Sequence, residues 1–117
     1  MDPSTSARLD TETARAARAF LDRVSAHYDV AGAVLFGSRA RRSHRPDSDA
    51  DIAILLRGPR GRFLDTKLAL ADIAFDGLLE TGVLIQPFPI WEDDWEHPDR
   101  HSNPALLRNI HRERVPL

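Results

Sequence analysis

The sequence predicts an α/β protein, a small mixed sheet of about three strands with helices packed against it. Three apolar runs of strand length, at residues 33–36, 50–56 and 83–90, are separated by stretches whose apolar residues recur at helical intervals. Gly and Pro stand at the joints, at Gly32, Gly37, Gly58, Pro59, Gly61 and Gly82. With 117 residues, 42% hydrophobic and 29% charged, the chain has the size and balance of one globular domain.

Residues 1–8 read as a frayed start. Over 10–28 the apolar positions Ala17, Phe20, Leu21, Val24 and Tyr28 share one helical face, with Arg15, Arg18, Asp22 and Arg23 on the other. Residues 29–32 break that helix and lead into the first strand, 33–36. His27, near the helix end, is a surface residue compatible with the helix dipole. The second strand, 50–56, is apolar on both faces beyond its first residues: Ala50, Ile52, Ile54 and Leu56 on one, Ala53 and Leu55 on the other. Such a strand is covered on both sides, which leaves its leading acids at a wet end. Residues 57–61 form a loop. The next helix, 63–81, is expected to bury a stripe of Leu64, Leu68, Ala71, Phe75 and Leu78 or Leu79, and Gly82 is suited to end it. Pro87 and Pro89 cannot donate to a ladder, so the third strand, 83–90, is expected at an edge of the sheet. Glu92 to Glu96 makes one helical turn. Asn103 then caps a last helix, with Pro104 at its first position, running to about Arg112. Trp91, Trp95, Leu106, Leu107 and Ile110 are expected to pack onto the core.

The chemistry sits between the first two strands, in AVLFGSRARRSHRPDSDADIAILL. Side chains alternate along a strand, so Asp49 and Asp51 project from one face a few ångströms apart. Two carboxylates that close repel each other unless a proton or a cation intervenes. Oxygen ligands on a rigid strand suit magnesium, which takes one or two carboxylates and completes its shell with water and substrate phosphates. Gly37 allows close backbone approach to a ligand, and Ser38 opens a short helix whose leading N–H groups favour an anion. Arg39, Arg41, Arg42 and Arg45 lie close by for charge-assisted bonds to phosphate. The same residue types are also ordinary turn vocabulary, in which case the arginines are a solvated connection.

Gly-Ser, ten residues, and Asp-x-Asp leading a hydrophobic strand resemble the signature of polymerase-β-type nucleotidyltransferases. In particular they resemble the minimal nucleotidyltransferase (MNT) proteins that accompany HEPN-domain toxins. The resemblance covers about residues 9–90, with 91–117 as a C-terminal helical extension of a single domain. It implies transfer of a nucleoside monophosphate from a magnesium-bound triphosphate, ATP being the expected donor, to a hydroxyl, with release of pyrophosphate. It assigns Asp49 and Asp51 to catalysis and to Mg2+, and Gly37, Ser38 and Arg39 to the nucleotide. The implied partner is a HEPN toxin, modified on a hydroxyl and thereby neutralised. Family members often carry a third carboxylate on the third strand. Here that strand has no acid and offers Gln86, an amide that binds a cation more weakly and cannot act as a base. Catalysis with two ligands, a substitute acid such as Glu92 or Asp93, and loss of activity all stay open.

Other classes are excluded or disfavoured. The chain has no cysteine, so disulfides and thiolate chemistry are absent, and His97, His101 and His111 follow no zinc-ligand spacing. No apolar run approaches the ~18 residues of a membrane span, and the polar start lacks a signal-peptide core; a cytoplasmic protein is the expectation. A net charge of −2 disfavours nucleic acid as a partner. Lys67, the only lysine, and the loop arginines Arg57 and Arg60 are read as solvated. The rival function is a non-catalytic protein that keeps the fold and blocks a partner by contact. Modification of a small molecule is a third reading, but no second domain is evident to build the acceptor pocket.

Overall fold

A computed structural model describes residues 10–117; the expected frayed start at 1–8 lies outside them. Helix α1 (Thr11–Ser25) starts where Asp10 accepts hydrogen bonds from the Thr13 N–H at 2.7 Å and the Thr13 hydroxyl at 2.8 Å, satisfying an otherwise orphaned helix donor. It buries Ala16, Ala17, Phe20 and Val24 as its periodicity requires. The helix closes in a tight turn through Tyr28, whose N–H donates to the Val24 carbonyl at 2.9 Å. Strand β1 (Val30–Phe36) begins three residues before the expected start. A register shift between Val30 and Gly32 lets the glycine be absorbed as a bulge rather than break the strand.

The single turn α2 (Ser38–Arg41) joins β1 through an exposed basic turn to β2 (Ala50–Leu56). Helix α3 (Phe63–Thr81) ends at Gly82, whose φ of 76° is the left-handed cap that glycine adopts without penalty. Strand β3 (Ile85–Trp91) follows, then α4 (Glu92–Glu96), a 3-10 turn (Pro98–Arg100), α5 (Pro104–Glu113) capped by Asn103, and β4 (Val115–Pro116). The sheet order is β3-β2-β1-β4, with β2 and β3 parallel and the other pairs antiparallel. The proline-bearing β3 is indeed an edge strand. The other edge is a fourth strand, too short to be read from its pattern.

Ile52, Ile54 and Leu56 face α1 and α3, while Ala53 faces Leu107 and Ile110 of α5 and Trp95 of α4. Burying Leu107 and Ile110 fully is worth about 1.5–3 kcal/mol each, so the C-terminal segment is part of the core. Trp95 adds a stack on His111, ring centroids 3.6 Å apart.

Helix α3 departs from expectation. Its buried face is Leu70, Ala74 and Gly77, whereas Leu64, Leu68, Phe75 and Leu79 are exposed. Small residues let α3 lie close to α1: a Cβ on Gly77 would stand 3.2 Å from the Arg23 guanidinium. The stripe of large side chains is turned away from the protein's own core.

Candidate active site

Strand pairing brings the two halves of the motif together. Phe36 is in register with Asp51, so Gly37 leaves β1 beside the point where Asp51 enters β2. Gly37 has φ 77° and ψ −157°, a region essentially closed to side chains. A Cβ there would stand 2.3 Å from Asp51 Oδ2, so the carboxylate lies directly against the glycine backbone. Asp49 is exposed two residues earlier on the same face, at the wet end of a buried strand. Ser38 is half-buried at the start of α2, next to Gly37.

Gln86 is in register with Asp51, and its side-chain amide donates to Asp49 Oδ2 at 3.1 Å. The position where the family often has a third carboxylate thus holds a neutral donor that steadies one acid. Glu92 and Asp93 cannot substitute, because they follow Trp91, which pairs with Leu56 at the opposite end of the sheet, about 20 Å away along the strand. Among the described residues no set of three His, Cys, Asp or Glu is placed to hold one metal ion.

Burial pushes the Asp51 carboxyl above its ordinary value of 3.8; the charges of Asp49 and Glu113 act in the same direction, and Arg41 opposes them. A concentration of negative charge of this kind fits a cation: it would relieve the repulsion that now falls on Asp51.

Glu113 also reaches the corner, which its place in the sequence does not reveal. Leu35 pairs with Val115, so two residues further on Glu113 comes opposite Gly37. Its Oε2 accepts from the Gly37 N–H at 3.1 Å and its Oε1 from Arg41 Nη1 at 2.8 Å. A carboxylate therefore occupies the backbone donor of Gly37. Only the long-range β1–β4 pairing reveals it.

Arg39 is a correction to its expected place at the phosphates. Its side chain is 1% exposed, and the guanidinium donates inward: Nε to the Ser48 carbonyl at 3.0 Å, Nη1 to the Thr13 hydroxyl at 2.9 Å, Nη2 to the Pro46 carbonyl at 3.2 Å. Thr13 passes this on to Asp10, which His44 also approaches at 3.1 Å. Burial raises the Asp10 carboxyl, but the two Thr13 hydrogen bonds and the charges of His44 and Arg39 outweigh it and leave Asp10 below its ordinary value. Arg39 is thus a positioning residue. It fastens α1 to the last residues of the basic turn and so fixes where Asp49 emerges.

A separate cavity of about 340 Å³ lies along β3 toward the far end of the sheet, walled by Phe63, Phe88, Trp91 and Leu106. At its edge Arg60 is paired with the buried Asp94, so Arg60 is not simply solvated.

The model of the nucleotidyltransferase domain matches residues 17–100, most of the chain, including Gly37, Ser38, Asp49, Asp51 and Gln86. The chain belongs to the nucleotidyltransferase domain family. A crystal structure from Sulfolobus solfataricus, provisionally described as a nucleotidyltransferase, superposes with a TM-score of 0.59 at 17% identity, covering 90% of this chain and 81% of that one. At that identity the likeness speaks for the nucleotidyltransferase fold alone. No curated protein matches significantly. Among the described residues no helix is long and apolar enough to cross a membrane.

Proposed function

We propose that this nucleotidyltransferase-family protein moves a nucleoside monophosphate, AMP from Mg-ATP, onto a hydroxyl of a partner protein, a HEPN-domain toxin that it thereby restrains. The observation that carries the reading is the contact between the Asp51 carboxylate and the Gly37 backbone, with Asp49 on the same face. Metal ligands and phosphate cradle then share one corner. Asp49 and Asp51 would hold the magnesium ion, and its remaining positions suit water and phosphate oxygens. When bound, the ion supplies charge neutralisation at the phosphate under attack.

The chain's own residues do the rest by placement. Because no Cβ stands at Gly37, the Asp51 carboxylate lies against its backbone, and a phosphate on the bound cation would meet the Gly37 and Ser38 backbone there, taking over the Gly37 N–H from Glu113. Arg41 supplies positive charge beside them, Gln86 orients Asp49, and Arg39 holds the turn. The net charge of −2 favours a protein hydroxyl over a nucleic acid as acceptor.

A second reading, restraint of the partner by binding without chemistry, is favoured by the amide at position 86, which leaves two carboxylates where family members often have three. Incubation with Mg-ATP and the HEPN partner, followed by intact-mass measurement, separates the two. A gain of one adenylyl group on the partner, absent with Asp49→Asn, supports transfer. A stable complex without that gain supports the binder.

A further inference from the structure

Helix α3 is apolar on two faces, and only one has a partner. Leu70, Ala74 and Gly77 pack inward, while Leu64, Leu68, Phe75 and Leu79 are 64%, 58%, 59% and 82% exposed. Together with Ala71 these residues recur in steps of four, three, four and four, so they line up along about 22 Å of one helix side. Single exposed leucines are ordinary, but a contiguous line of them marks an interaction surface. Four steps over 15 residues stay close to the 3.6-residue turn of a straight helix, so the line keeps to one side, where a second helix can pack along it.

We propose that this face is the interface of a symmetric homodimer, with α3 of one copy antiparallel to α3 of a second copy. The stripe is self-complementary about its middle: a two-fold axis at Ala71–Asp72 sets Leu64 opposite Leu79 and Leu68 opposite Phe75. The small Ala71 at the axis lets the helices approach closely. The exposed apolar side chains of the stripe present on the order of 400 Å² per copy, which with flanking residues approaches the size of a specific interface. Asp65, Asp72 and Asp76 flank one side of the stripe, and the two-fold brings Asp72 near its counterpart, so added salt should strengthen the dimer. Helix α3 covers the sheet face opposite the one from which Asp49 and Asp51 project, so the corner stays open in the dimer. The inference is independent of nucleotide transfer and stands or falls separately from it.

Sedimentation equilibrium of the whole chain at roughly 100 µM, a concentration that should populate such an interface, is expected to give twice the 13.1 kDa chain mass. Leu68→Asp and Phe75→Asp should each return it to the monomer mass with the circular dichroism spectrum unchanged. The chain has no cysteine, so Ala71→Cys should oxidise to a covalent dimer, whereas Leu79→Cys alone should not. Leu79→Cys mixed with Leu64→Cys should cross-link. This cross-linking keeps the arrangement testable even if an aspartate variant fails to fold. A wild-type monomer at that concentration, or a dimer indifferent to both aspartate variants, would overturn the proposal. Occupation of the stripe by a basic-rimmed helix of another protein while the chain itself stays monomeric would overturn it too.

Discussion

Gly37→Ala probes the corner on which the functional reading rests. Alanine at φ 77° and ψ −157° carries a backbone cost of about 1–3 kcal/mol. Its Cβ would also meet Asp51 Oδ2 at 2.3 Å, where ordinary contact begins near 3.4 Å, so the carboxylate must swing away at a further cost of about 0.5–1.5 kcal/mol. The combined loss of about 2–4 kcal/mol should lower Tm by roughly 8–16 °C for a domain of this size. In an Asp51→Ala background the nearest Asp51 atom is Cβ at 3.5 Å, an ordinary contact, so only the backbone part remains. A double-mutant cycle by urea unfolding should therefore give a coupling of about 1 kcal/mol between the two positions. If Gly37→Ala costs the same in both backgrounds, the carboxylate does not rest on the glycine and the shared corner is wrong.

Four further outcomes follow from the same geometry. Arg39→Met leaves the Ser48 and Pro46 carbonyls and the Thr13 hydroxyl without their donor and should cost about 2–4 kcal/mol in urea unfolding, with Arg39→Lys recovering only part of it. Asp51 titrates above its ordinary 3.8 in the folded protein, so its contribution to stability is fully present below that value and is lost as pH rises through the raised one. Asp51→Asn should accordingly raise Tm at pH 7 and leave it nearly unchanged near pH 3, and thermal melts at the two pH values check the sign. Gln86→Glu, which places a third acid in register with Asp51, should tighten Mn2+ binding about tenfold by calorimetry while lowering metal-free stability. Glu113→Gln weakens the hold on Gly37 and Arg41 and should tighten nucleotide binding severalfold in equilibrium dialysis.

Much of this was readable from the sequence, because the deciding signals are local. The two-sided apolar run at 50–56 marks a covered strand, the prolines at 87 and 89 mark an edge, and Gly37 with Asp51 marks the corner. The failures share a cause: each depends on a partner distant in the chain. Periodicity in α3 pointed to its largest apolar side chains, but close packing against α1 selected the small face of Ala74 and Gly77. Arg39 looks like its arginine neighbours until Thr13, 26 residues earlier, is seen to receive it. Glu113 reaches Gly37 only through a two-residue strand whose own pattern carries no signal.

The most direct measurement is calorimetric titration of a non-hydrolysable ATP analogue into the protein with and without Mg2+, for the wild type and for Asp49→Asn. Binding should need the cation and weaken about tenfold or more, roughly 1.4 kcal/mol, in the variant. Equal affinity without the cation and with Asp49 replaced would contradict the functional reading.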